Sequence, residues 1–526
     1  MSNSNKVQTL SRRVSMPFEV SRAFETLTKE QDTPCALLET ASISTKEHTK
    51  SVMMLSAALQ VRCTFEQVLV TALNANGEQL LGNLQSLFDE SELSQHQLHI
   101  RISHQSLHQE VDEFKKLHSA SVFDVLRNIM SLVQSQSIDD YSTLLIGTFS
   151  FDCYELFESL PSLPADSNDF PHYDFFLADQ LLMVDHRNHN NRLVSKVFSG
   201  ASQLAVLNDY QQKIAHHATL LESMEALPST MKKNASLPTP EQPKLSLDDA
   251  SYCELVKKVK QHVYQGDVFQ TVVARDFKLP CSKPYNAYQE LKQSNPSPYM
   301  FYVQTPDYVL FGASPESAVK VDADTSTLSI YPIAGTRRRG QKDNGEIDAD
   351  LDARIELELK SDEKEKAEHS MLVDLARNDV ARVCVPGSRK LDRLMEVDRY
   401  SHVMHLVSKV SGQLDKQYDA LSAYQACMNM GTLTGAPKVK ASQLLRQYEG
   451  KRRGVYGGAM GYLNAAGDMD TAIVIRSALV QNQQATVSAG AGIVFDSDPM
   501  AEAQETSSKA AAVIAAIQSA AVKEAS

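Results

Sequence analysis

The sequence predicts an α+β fold, with large and mostly antiparallel sheets flanked by helices. Three observations predict it. Apolar runs of strand length recur: "SVMMLSAALQVRC", "LLIGTFSF" and "FFLADQLLMVDH" in the front of the chain, then "YVLFG", "TLSIYPI", "YGGAMGYL", "TAIVIRSALV" and "ATVSAGAGIVF" behind. Stretches with helical spacing, 362–380 and 499–517, fall between the rear runs. Glycines stand at or just beyond several strand ends, where turns are needed.

The elements follow in order. The chain has 526 residues, 42% of them hydrophobic, enough for two or three domains or one large one with a smaller partner. Residues 226–246 hold Pro228, Pro238, Pro240 and Pro243 among Ser, Thr and Lys. They predict an extended linker between a front region, 1–225, and a rear region, 247–526. Ser246 and Asp249 then suggest a capping box. Tyr252, Leu255, Val256, Val259 and Val263 continue at helical spacing, Gly266 closes that helix, and "DVFQTVVAR" follows as a β-rich run. Pro499 suits a first helical turn, with Asp498 as its cap. The Ala-rich "AAAVIAAIQSAAV", interrupted by Gln518, predicts a packed helix.

Bulk charge narrows the class. A formal net charge of −13 argues against nucleic-acid binding and suits a small-molecule protein. The seven cysteines include no CxxC pair and none in a nucleophile elbow, so reduced thiols in the cytoplasm are expected. "MSNSNKVQTLSRRV" has no apolar core, so no signal peptide is expected, and no apolar run approaches membrane-spanning length. Tryptophan is absent, which fits either drift or a protein made when tryptophan is scarce.

The chemistry-bearing residues concentrate in the rear. In "AGAGIVFDSDPMAEAQET", Gly490, Ala491 and Gly492 suggest a small-residue turn with bare N–H groups for an anion. Asp496, Asp498, Glu502 and Glu505 follow at once and would attract a cation. An anion carrying a metal ion reconciles the two. Acids in a first helical turn also serve as dipole partners, so this reading competes with a plain one. Glu368 stands beside Met371, Leu372 and Leu375 on an apolar helix face, where an acid is costly unless paired or bound to a cation. Glu368 and Glu505 could thus be two oxygen ligands of one Mg²⁺. Arg476 ends an apolar run and could clamp a carboxylate. Lys509 could reach the same site or pair with Glu505. "GTRRRG" and "GKRRG" read either as anion-binding loops or as solvated basic turns. His405, three residues past His402, has apolar neighbours and reads by itself as a core histidine.

Several segments together carry more information than their parts. "FGASPES", "YPIAGTRRRG", "EHSMLVDLARNDVARV", "DRYSHVMHLVS", "MNMGTLTGAPKVKA", "YGGAMGYL" and "SAGAGIVFDSDPMAEAQET" resemble, in order, the signature segments of the chorismate-utilising enzymes. "LLETASISTKEHTKS" in front is similar to the segment typical of the anthranilate synthase component I branch. The resemblance implies two stacked antiparallel sheets with helices outside and a site in the cleft between them. It implies chorismate as substrate, with Mg²⁺ held by Glu368 and Glu505 and with Glu502 nearby. Gly335, Thr336, Tyr456, Arg476, Gly490, Ala491, Gly492 and Lys509 match substrate-contact positions. Glu316 matches the general acid for the 4-hydroxyl, for which it must stay protonated. His405 matches the residue assisting proton removal from C2.

Two positions choose among relatives. Gln270 stands where water-using members carry the lysine that activates water. Ala334 stands where aminodeoxychorismate synthases carry a nucleophilic lysine. The implied reaction is amination at C2 by ammonia followed by loss of pyruvate, giving anthranilate at the start of tryptophan synthesis. The alternatives are an aminodeoxychorismate or isochorismate-type synthase, or a non-catalytic tryptophan sensor. No glutaminase elbow is present, so a separate glutamine amidotransferase subunit, component II, is implied as partner. A tryptophan feedback site is implied at Glu39, Thr40, Lys50, Pro298, Tyr299 and Met300, with Thr40 where the family has serine.

Overall fold

The computed structural model describes residues 7–15, 18–29, 33–41, 48–103, 112–135, 138–163, 168–199, 203–224, 241–342, 346–400 and 403–522. Most of the predicted linker, and His402, lie outside them.

Two long strands organise the molecule. His48–Thr64 and Tyr173–Asp185 pair antiparallel from Lys50↔Asp185 to Cys63↔Tyr173, with register slips between Met54 and Leu59. At the slips the sheet divides. The first half of His48–Thr64 pairs onward with Cys35–Ala41, the second half with Gln67–Ala72. Tyr173–Asp185 gives its first half to Leu144–Phe149 and its second to Arg192–Val197. Such slips bend and twist a ribbon, and here one ribbon feeds two sheets.

From Cys35–Ala41 the first sheet runs through Tyr299–Gln304, Val309–Ser314, Ser477–Gln481, Gln484–Ile493 and Gln270–Pro280. From Leu144–Phe149 the second runs through Ala459–Asn464, Met469–Ile473, Ser317–Asp322, Thr327–Ile330 and Val403–Gln413. Every pair of described strands is antiparallel, as the α+β reading requires. Residues from both sides of the Pro-rich segment share each sheet. The last residues of that segment, Lys244–Leu245, pair with Lys278 and Phe277.

Three local expectations change. The capping box does not form: Asp248 accepts from the Ser251 N–H, while the Ser246 hydroxyl accepts from the Asp276 N–H. "TAIVIRSALV" is not one strand. Met469–Ile473 belongs to the second sheet and Ser477–Gln481 to the first, and the chain crosses between them through Arg476, held at φ +51°. "AGAG" is not a turn but the end of strand Gln484–Ile493. Asp498 does cap helix Pro499–Val522, accepting from the Met500 and Ala501 N–H groups. That helix buries Ala510, Val513 and Ile517 in the core it shares with helix Pro284–Ser294.

Candidate active site

Two chain crossings between the sheets build the site. Val309–Ser314 lies in the first sheet and Ser317–Asp322 in the second, so Pro315 and Glu316 form one crossing; Val474–Arg476 is the other. Pro315 has no N–H to donate, which helps end the first strand. Beside these crossings a cavity of about 630 Å³ opens between the strands and helices Glu363–Ala381 and Pro499–Val522. Every predicted catalytic, substrate and metal residue lines it except Ala491.

The glycines explain that exception. Gly490, Ala491 and Gly492 lie opposite Ala274, Val273 and Val272. Ala274 and Val272 send their N–H groups away from this strand, to Glu449 and to the Thr434 carbonyl. Their partners Gly490 and Gly492 therefore turn N–H and C=O toward the opposite edge, as alternation in an antiparallel ladder demands. That edge pairs with Ser477–Gln481 only as far as Val487, so beyond it the backbone faces the cavity. Ala491 points its amide inward and its methyl into the core. The bare N–H groups expected of a turn are thus supplied by an open strand edge. A Cβ on Gly492 would stand 2.3 Å from Gln270 Nε2. The neighbouring Gln270 Oε1 is buried and has no hydrogen-bond partner among the described residues.

Glu316 is 6% exposed, and its carboxylate oxygen accepts from the Thr432 hydroxyl at 2.9 Å. Burial pushes its pKa up to about 8, against the opposing effects of Thr432 and the Lys509 charge. It is therefore a neutral acid at pH 7. His405 is buried and reaches Thr336 Oγ1 through Nδ1 at 2.8 Å, with Tyr400 edge-on to its ring. Gly335, at φ +82°, carries the strand past the Glu365 carboxylate, which a Cβ would approach to 3.1 Å. Arg476 donates to the Lys509 carbonyl, and burial lowers its pKa, opposed by Tyr456 and Glu505. Lys509 does both things expected of it: it pairs with Glu505 at 2.6 Å and donates to the Gly490 carbonyl at 2.9 Å.

Glu368, Glu502 and Glu505 share one wall. Glu368 is pushed up to about 7, mainly by burial and further by Glu365, Glu502 and Glu505, while Lys364 opposes. Glu502 is raised by burial and by Glu505. Carboxylates that destabilise one another's charge in a cavity fit a divalent cation, which would reverse that penalty. Among the described residues no three His, Cys, Asp or Glu side chains are gathered closely enough to hold a metal unaided. Few protein oxygens plus substrate oxygens is the donor set that suits Mg²⁺.

Four arginines of the basic loops are engaged by acids. Arg337 pairs with Asp362 and Glu365, Arg339 with Asp352, Arg452 with Glu155 and Arg453 with Glu449. Thr432 escaped the sequence reading as a site residue, although it lies inside a signature segment.

The residues of the predicted tryptophan site occupy adjacent strands but two faces. Lys50, Thr40 and Tyr299 stand directly opposite one another across three strands and so share a face. Glu39 and Met300 pair on the other face. There the Glu39 carboxylate accepts from Lys292 and Tyr288, and Met300 is 1% exposed in the core. Glu39 and Met300 thus lie on the face opposite Thr40, although the resemblance groups them in one site. Pro298 accepts from the Ala41 N–H through its carbonyl.

Among known proteins, residues 84–515 match the family model described as chorismate binding enzyme. Anthranilate synthase component 1 of Vibrio parahaemolyticus is 49% identical over 97% of this chain and 93% of its own length. That of Escherichia coli is 45% identical over 92% of each. The crystal structure of anthranilate synthase component I from Streptococcus pneumoniae superposes with a TM-score of 0.65 at 28% identity, covering 89% of this chain and 92% of that one.

Proposed function

This chain belongs to the chorismate-binding enzymes, and from that premise we propose that it converts chorismate and ammonia to anthranilate, pyruvate and water. The observation that carries the reading is Glu316: a buried carboxyl, neutral at pH 7, facing the same cavity as His405. The runner-up chemistries lack their lysines, the water-activating base and the nucleophile, since Gln270 and Ala334 line the cavity at those positions.

Arg476, Lys509 and the N–H groups of Gly490 and Gly492 bind and orient the substrate's carboxylates. As the nitrogen lone pair forms the bond to C2, the ring double bonds shift and the C4–oxygen bond breaks. Glu316 gives its proton to that oxygen, which leaves as water. The ammonium formed at C2 then loses a proton. In the second half His405, its ring fixed by Thr336, assists removal of the remaining C2 proton. The ether bond to the side chain breaks, the ring becomes aromatic, and the enolpyruvate takes up a proton to become pyruvate. Glu368 and Glu505, with Glu502 beside them, would hold Mg²⁺, which supplies positive charge against the substrate's carboxylates.

Ammonia comes from a separate glutaminase subunit, which the component 1 name of the relatives supports. All seven cysteines are buried, so none offers a glutaminase nucleophile. Tryptophan inhibits through the strands bearing Thr40 and Tyr299. The direct test is the purified chain with chorismate and Mg²⁺, read by anthranilate fluorescence. Ammonium is expected to support turnover and glutamine is not; glutamine-dependent turnover by the chain alone would overturn the subunit assignment.

A further inference from the structure

Ser314 is fully buried at the end of strand Val309–Ser314, directly before the Pro315–Glu316 crossing. Its hydroxyl accepts from the Glu316 N–H at 3.3 Å and donates to the Glu316 carbonyl at 3.2 Å. The same carbonyl accepts from the Ile473 N–H of the second sheet at 3.0 Å. Both main-chain groups of the crossing residue are thus tied, one of them to both sheets, while its side chain has a single hydrogen-bond partner among the described residues, Thr432. The carboxyl's aim is set by its backbone. Ser314 also ends a cross-strand row: Lys50 stands opposite Thr40, Thr40 opposite Tyr299, and Tyr299 opposite Ser314. At the far side of Tyr299 its phenol donates to Asp470 at 3.1 Å, in the strand of the second sheet that pairs with Ser317.

We propose that Ser314 is a positioning residue for Glu316, its hydroxyl fixing the crossing so that the carboxyl keeps its buried place in the cavity wall. This rests on Glu316 acting as the general acid. Ser314 touches no reacting atom; it acts through the backbone of the residue that does. Without the hydroxyl the crossing loosens and the carboxyl reaches water. A hydrated carboxyl ionises at lower pH, so the acid is lost earlier as pH rises. The titratable groups that reach Glu316 are Lys509 from helix Pro499–Val522 and Tyr400 from beyond strand Lys390–Arg399; Ser314 contacts neither.

The experiment is steady-state kinetics of Ser314→Ala and Ser314→Thr at constant free ammonia over pH 6–9, with chorismate binding measured by calorimetry. For Ser314→Ala, kcat at neutral pH is expected to fall about tenfold, a fraction of what a general acid supplies. The chorismate KM and Kd are expected to stay within about twofold, and the high-pH limb of kcat to move down by about one pH unit. Ser314→Thr keeps the hydroxyl and is expected to recover the wild-type limb. An unmoved limb in Ser314→Ala, or a KM that rises in step with the fall in kcat, overturns the proposal. Glu316→Gln separates the two failures. If it is inactive while Ser314→Ala keeps the wild-type limb, the positioning role falls alone. If it turns over normally, the acid assignment falls first.

Discussion

Replacing Glu316 by glutamine separates catalysis from stability, with opposite signs. In the fold burial holds the carboxyl up to about 8 from an ordinary 4.5. In the unfolded chain it ionises normally. Between those two values the folded state binds more protons than the unfolded one, so stability falls as pH rises. The slope is about 1.4 kcal/mol per pH unit, and it flattens above pH 8. At pH 7 the fold bears roughly 3 kcal/mol for keeping this proton, and near pH 9 roughly 5. Glutamine keeps the shape and the acceptor for Thr432 and has nothing to ionise. Glu316→Gln should therefore be more stable than wild type, by a gap that is small at pH 5 and grows toward pH 8. Its turnover with ammonium should fall by about 10²–10⁴ because the leaving hydroxyl has no proton donor. In wild type kcat should decline as pH rises through about 8, with free ammonia held constant. Urea unfolding at pH 5, 6.5 and 8 reads the first effect and anthranilate fluorescence the second. A stability gap independent of pH, or turnover within tenfold of wild type, would refute the buried-acid reasoning.

Glu368→Ala and Glu505→Ala should each nearly abolish anthranilate formation and weaken Mg²⁺ binding measured calorimetrically with chorismate present, since each removes a hard oxygen ligand; near-normal turnover in either would sink the metal assignment. Gly492→Ala should cut kcat while leaving melting temperature nearly unchanged, because its methyl meets the end of the Gln270 side chain rather than backbone; a variant with normal kcat would show that the open strand edge does not bind substrate. Tryptophan and chorismate should weaken each other's binding by one common factor, on the order of 5–150-fold, in paired titrations, and equal tryptophan affinity with and without saturating chorismate would end the coupling. Thr40→Ser should change tryptophan affinity, whereas Met300→Ala should chiefly lower stability, by about 2–5 kcal/mol for a fully buried methionine; a reversed pattern in denaturation and titration would put Met300 back on the ligand's face.

How much of this was legible in the sequence depends on the distance over which each feature is decided. Helix Asp249–Tyr264 and strand Gln270–Pro280 were legible because their apolar spacing is local. The Asp498 cap was legible for the same reason. Ser246 was misread because its hydroxyl is claimed by Asp276, a strand partner that local spacing cannot supply. "TAIVIRSALV" has the periodicity of one strand, since Val474 and Ile475 are apolar whether they pair or cross; only pairing with two different sheets shows the break. That these residues line one cavity was legible through signature segments, but not how the fold presents them. Gly490 and Gly492 differ from Ala491 only through the register with Gln270–Pro280, which decides which amides face the cavity.

The residues of the tryptophan site show the same limit and its mechanical consequence. Glu39 and Thr40 are neighbours in sequence, so a motif presents them as one cluster. In a strand neighbours point to opposite faces. Lys292 and Tyr288 settle which face Glu39 takes, and both come from a helix some 250 residues away along the chain. The buried Glu39–Lys292 pair thus fastens strand Cys35–Ala41 to helix Pro284–Ser294, while Thr40 and Tyr299 look the other way, in the row that ends at Ser314. A ligand on that row would meet a sheet already anchored from behind. Ser314, at the end of that row, stands directly before the crossing at Glu316.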